Sequence, residues 1–259
     1  TIYTVERAGA FKLELNVPAG FEVRRVEGRA AAGAAAVQVD SHHLEGENKT
    51  RLVVNLSRKA FGKVGLLVEL DKDLDHPELR SPAEESARIP LPFARVAPGT
   101  AERATGRLLV YAPESLRVIP EEADGLRSIS FAEALEGIAT ARARKPEGAR
   151  PVLAFAYTQQ PATLVLDARR RKPQVTVRQL LVVRIEEGVV KHQATLFYDV
   201  LYSGVKSLRI DVPAAVAAKL RNNTPGTRDS VMTPAPKDLA EGYVAWSLTG
   251  ETELLGSGR

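Results

Sequence analysis

Thr1–Ala19 (TIYTVERAGAFKLELNVPA) comes back at Leu196–Ala214 (LFYDVLYSGVKSLRIDVPA) without a gap, at a constant offset of 195 residues. Seven of the nineteen positions are identical: Tyr3/Tyr198, Val5/Val200, Gly9/Gly204, Leu13/Leu208, Val17/Val212, Pro18/Pro213 and Ala19/Ala214. Leu15/Ile210 and Asn16/Asp211 are conservative besides. A chain that carries one segment twice is read as a chain of repeated structural units, and each copy must fold by the same local rules.

Those rules are legible. Both copies alternate apolar and polar residues (Tyr3, Val5; Tyr198, Val200, Tyr202), pass through a Gly-containing turn, then alternate again (Phe11, Leu13, Leu15, Val17; Leu208, Ile210, Val212). Period-two alternation places the apolar residues on one face of a sheet, and the Pro that closes each copy cannot donate to a ladder. The reading is strand, turn, strand. Beyond the Pro the copies diverge: Phe21 and Val23 begin a third strand, whereas Ala214–Leu220, with Pro213 at N1, predicts a short helix.

The second copy is preceded by strand patterns over Val152–Glu186, but the first begins at Thr1, in mid-strand and without Met. The expectation is a piece of a longer protein whose first module is open along Thr1–Arg7, so that this segment pairs intermolecularly, frays or takes a substitute strand.

With 44% hydrophobic and 26% charged residues, the chain has a globular composition, and no run of eighteen apolar residues is present to span a bilayer as a helix. A formal charge of +4 with no basic domain gives no nucleic-acid footprint. The absence of Cys excludes disulfides, thiol catalysis and Cys-based zinc sites.

Taken in order, strands are predicted at 2–7, 11–17, 21–27, 36–39, 51–57 and 63–70, the last two joined as a hairpin through Lys59–Gly62 with Gly62 at positive φ. Ala30–Ala36 reads as a loop and Asp71–Ala87 as a charged linker. Short strands follow to Ile129, then a helical turn headed by the Ser130/Glu133 capping box and ending near Gly137. Ala139–Arg150 is the expected domain linker. Gln174–Glu186 and Val189–Tyr202 form a long hairpin with Gly188 left-handed in a bulged three- to four-residue loop. Its core face is predicted to carry Val175, Val177, Leu181, Val183 and Ile185 opposite Val190, Ala194, Leu196, Tyr198, Val200 and Tyr202. Asn222–Asp238 reads as a polar loop, and Tyr243–Leu255 as a hairpin about Gly250. The fold expected is all-β: two antiparallel β-sandwich modules, 1–140 and 150–259, related by the repeat, with one or two short helical turns. One larger sandwich shared by both halves is the alternative.

Few residues offer chemistry. Asp40, His42, His43, Glu45 and Glu47 place five potential ligands close together, but adjacent His on a strand point to opposite faces, so no divalent ion is expected there. Asp71, Asp73 and Asp75 resemble the start of a calcium loop, yet His76 stands where Gly is required and Pro82 where the closing Glu belongs. Arg169–Lys172 is a basic run without stacking aromatics and reads as a solvated turn. His192 falls on the apolar face of its strand, as a packed, hydrogen-bonded His would. Tyr157, Tyr198, Tyr202, Tyr243 and Trp246 have the residue types of a sugar platform but the spacing of core or edge packing. No catalytic residue, cofactor site or metal site is assigned, because no Ser/His/Asp spacing, Walker loop or dinucleotide fingerprint occurs.

In LELNVPAGFEVRRVEG, LVVNLSRKAFGKVGLLVEL and VRQLLVVRIEEGVVKHQATLFYDVLYSGVKSLRIDVP the chain resembles repeats of very large, uncharacterised exported bacterial proteins. The resemblance implies an exported location, in the periplasm or at the cell surface, and a scaffold or adhesive role, with neighbouring repeats, other proteins or glycans as partners. The function expected is a non-catalytic structural or interaction segment of a multi-repeat envelope protein. A carbohydrate-binding module attached to a catalytic chain is the alternative, and a hydrolase using acidic residues the third reading.

Overall fold

The computed structural model describes residues 1–30, 35–80, 85–97, 103–136 and 147–258. The elements are β1 (Ile2–Asn16), β2 (Glu22–Arg29), β3 (Val39–Glu45), β4 (Arg51–Asp71), β5 (Ala87–Pro90), β6 (Arg95–Val96), β7 (Gly106–Pro113), β8 (Leu116–Glu122) and β9 (Arg127–Ser128). They continue with α1 (Phe131–Leu135), β10 (Ala149–Tyr157), β11 (Val165–Arg170), β12 (Gln174–Glu186), β13 (Val189–Pro213), α2 (Ala214–Ala217), β14 (Thr227–Val231) and β15 (Tyr243–Gly258). Among the described residues the chain is all-β, as the alternation predicts, with two short α-helices. Helix α1 starts at the capping box: Ser130 Oγ accepts from the Glu133 backbone N–H at 3.1 Å. Its expected end near Gly137 and most of the 139–150 linker lie outside the described residues. Pro213 is the N-cap of α2 rather than its first residue.

Two compact units result, and the division falls at Arg169/Arg170 instead of within 139–150. The reason is strand pairing: β10 bonds to β7 and β9, and β11 to β5 and β8, so both belong with the elements before them. In the first unit, one five-stranded sheet has the order β2-β4-β1-β6, with β3 also on β4. It encloses Leu13, Leu15, Leu52, Val54, Leu56, Ala60, Val64 and Leu66. The two three-stranded sheets, β7-β10-β9 and β5-β11-β8, share a second core with Phe155, Leu164, Leu166 and Ile89. The second unit is one four-stranded sheet, β12-β13-β15-β14.

Four expected turns are absent. Strands β1, β4, β13 and β15 each run unbroken through the Gly positions read as hairpins or turns. Gly62 takes the positive φ expected of it (70°), but in a bulged, continuous strand. A bulge bends both partners of a pair while keeping them paired, which lets the two halves of β4 bury Leu52 and Leu66 in one core. Gly9 has no positive φ; a Cβ there would lie 2.5 Å from the exposed Phe61 ring, which would have to swing aside.

The same bulged frame occurs twice. An offset of 195 on the first strand and 194 on the second carries Tyr3↔Val64, Val5↔Gly62, Ala10↔Ala60, Lys12↔Asn55 and Asn16↔Arg51 onto Tyr198↔Gly258, Val200↔Gly256, Val205↔Leu254, Ser207↔Thr249 and Asp211↔Ala245. Register shifts fall at matching positions, and Gly256 (φ 84°) matches Gly62. Strand β14 sits on β15 where β3 sits on β4, so Asn222–Asp238 contains a strand and is not wholly a loop. Arg209 pins the end of that segment through Asp238 at 2.8 Å while also binding Asp211 at 2.7 Å.

Candidate functional site

The β12–β13 hairpin is the most unusual surface. Glu187 and Gly188 form a two-residue turn with Glu186 opposite Val189, and pairing then runs without a register shift to Gln174↔Leu201. Only Gly188 has positive φ (75°), the sign pattern of a type II turn, so the longer bulged loop expected here is not formed. The predicted faces are correct: Val175, Val177, Leu181, Val183 and Ile185 oppose Val200, Tyr198, Ala194, His192 and Val190. Their burial is not. Among the described residues β15 pairs with β13 from Tyr198 onward, and the rest of the hairpin pairs only within itself, as a two-stranded arm. Val183 and Ile185 are exposed, and of the predicted face only Val200 is fully buried. Leu196 is half-buried.

At the root of the arm the backbone of Tyr202 is left-handed (φ 72°). Ser203, buried beneath it, accepts from Arg170 Nε at 3.4 Å and donates to the Arg171 carbonyl at 2.8 Å. The Arg171 guanidinium stacks 4.8 Å from the Tyr202 ring centroid, and its Nε is buried without a hydrogen-bond partner. The basic run is therefore partly structural and not simply a solvated turn: Arg170 and Arg171 anchor the arm, and Lys172 is exposed.

Strand β1 has a second open edge. Thr1–Val5 pair with β4, Thr1 and Leu66 exchanging both backbone hydrogen bonds at 2.9 and 2.8 Å. Among the described residues the opposite edge meets only β6, at Leu15 and Asn16. The corresponding edge of β13 is covered by β12, with Val177↔Tyr198 and Val175↔Val200. Tyr3 itself is inward: its hydroxyl donates to the Glu14 carbonyl at 2.9 Å, and burial, with the Glu14 charge second, pushes its pKa up.

The other sequence candidates do not assemble. His42 and His43 lie on β3, both exposed, and His43 Nε2 meets Glu45 Oε1 at 2.9 Å. Among the described residues no group of three or more His, Asp or Glu is placed to hold a metal ion. Titration with Zn²⁺ is expected to show no stoichiometric binding at His42, His43, Glu45 and Glu47, because the strand turns the two imidazoles apart. Zinc uptake abolished by replacing both His with Ala would contradict this. Asp71 and Asp75 form surface ion pairs with Arg24 (3.0 Å) and Arg80 (3.1 Å).

His192 is exposed on the arm, not packed as expected, because no strand among the described residues covers that face. It lines an open depression of about 390 Å³ with Val182, Arg184, Lys191, Gln193 and Asn223. Tyr157 belongs to the first unit, beside Phe93 at 5.7 Å, whereas Tyr198, Tyr202, Tyr243 and Trp246 belong to the second. Tyr243 and Trp246, an odd number of positions apart on β15, face opposite sides.

No protein-family model, curated protein or solved structure matches this chain. Among the described residues no helix is long and apolar enough to cross a membrane. The surfaces that sequence reasoning missed are the two-faced arm and its Ser203–Arg171–Tyr202 root. The unbroken apolar run Leu180–Val183 was the available signal, since a strand with one buried face alternates.

Proposed function

We propose that this chain is a non-catalytic structural or interaction segment of a larger multi-repeat envelope protein. The observation that supports the reading is the twice-built frame: β1–β4 and β13–β15 share register, bulge positions and the left-handed Gly62/Gly256 pair. Repeated units of this kind make extended surface, and the open strand edges and exposed arm are surface through which such units join neighbours.

The test is fractionation of the source cells with an antibody raised against the chain, together with a glycan array. Recovery in the envelope fraction without glycan binding is the expected result. Recovery in the cytosol would overturn the envelope assignment. Binding to a defined sugar, lost on Trp246→Ala, would replace the reading with that of a carbohydrate-binding module.

A further inference from the structure

Strand β12 is an edge strand of thirteen residues, Gln174–Glu186, and every one of them is exposed. Proteins protect such edges with bulges, Pro or charged side chains, and β12 has no bulge, Pro or Lys, its charges standing at Arg178, Arg184 and Glu186 on either side of the middle. Instead its middle is apolar on both faces: Leu180, Leu181, Val182 and Val183 are 54, 50, 42 and 46% exposed. A two-stranded ribbon of this kind is marginal by itself in water.

The ladder determines which groups the edge offers. A two-residue turn closes on a pair that exchanges hydrogen bonds, here Glu186 and Val189, and such pairs alternate along an antiparallel ladder. Even-numbered residues of β12 therefore point N–H and C=O toward β13. Odd-numbered ones, Val177 to Ile185, point them outward.

We infer that this edge is a dimer interface, in which β12 pairs antiparallel with β12 of a second copy about a two-fold axis through Val182. The inference deepens the interaction reading above by naming a partner, and rests on it. In this register Leu181 faces Val183 of the second copy, each pair exchanging outward hydrogen bonds, while Val182 faces itself. Charge favours it: Arg178 lies opposite Glu186, twice by symmetry, where it joins the Lys191 that holds Glu186 at 2.6 Å within each hairpin, while Arg184 lies opposite Leu180. Sliding one copy by two residues in one direction sets Arg178 against Arg184. Sliding it in the other leaves Glu186 facing Leu180 and Arg184 facing Val182. An isologous pairing of this kind consumes both edges and closes at two copies.

The experiment is sedimentation of the intact chain with cross-linking. The wild type should dimerise with concentration, and Leu181→Pro should weaken dimerisation at least tenfold, because it deletes an outward N–H and leaves the β13 ladder whole. Arg178→Glu should weaken the dimer as well, and Arg178→Glu combined with Glu186→Arg should restore it. Since the chain has no Cys, Val182→Cys supplies a single thiol, which should oxidise to a covalent dimer because a directly opposed non-hydrogen-bonded pair has the required Cα spacing. A wild type monomeric at about 1 mM, where even weak pairing registers, would overturn the inference. So would open-ended polymers, or a dimer indifferent to Leu181→Pro. None of these results would alter the envelope fractionation, so the two proposals fail separately.

Discussion

Leu52→Asp is expected to unfold the first sheet. Leu52 is fully buried and sits directly across from Leu15, also buried, where the early half of β4 meets the late half of β1. An unpaired carboxylate there has no partner and no water, which costs about 4 kcal/mol or more, a large part of the roughly 5–15 kcal/mol that holds a domain together. Leu52→Ala should cost about 2–5 kcal/mol through the cavity it leaves. Urea denaturation followed by far-UV circular dichroism is the measurement. Midpoints for both variants equal to that of the wild type would show that the bulged frame does not enclose this core.

Val200→Asp and Val183→Asp should differ widely, although alternation puts the two residues on one face. Val200 is 2% exposed and lies in the part of β13 held between β12 and β15. Val183 is 46% exposed on the arm, opposite His192. Val200→Asp should cost roughly 3 kcal/mol or more, and Val183→Asp should stay within about 0.5 kcal/mol when measured dilute enough for the chain to be monomeric. The only Trp, Trp246, pairs with Ile210 in the same sheet and reports the unfolding of this unit by its fluorescence. Equal losses in the two variants would mean that the arm is covered.

The arm shows where sequence reading stops. Alternation correctly assigned each side chain of β12 and β13 to a face, because side-chain direction in a strand is a local consequence of backbone geometry. Which face is buried depends on what packs against it, and among the described residues that is β15 over β13 from Tyr198 onward, a pairing between residues distant in sequence. His192 and Val183 were misjudged for that one reason. The capping of α1 by Ser130 was legible because a cap spans only three residues. The engagement of Arg170 and Arg171 with Ser203 and Tyr202 was not, because it joins segments about thirty residues apart.

By itself the sequence determined the all-β class, the strand faces, the correspondence of Thr1–Ala19 with Leu196–Ala214 and the left-handed positions of Gly62 and Gly188. All of these follow from backbone periodicity and dihedral preference within a few residues. Only the tertiary structure decided that Gly9, Gly62, Gly204 and Gly250 lie within long bent strands instead of at hairpin tips. A glycine signals that the backbone departs from a flat strand there, and both a bulge and a turn do so. What separates them is whether a second strand bulges opposite, and β1 and β4 answer that for each other between residues as far apart in the chain as Val5 and Gly62.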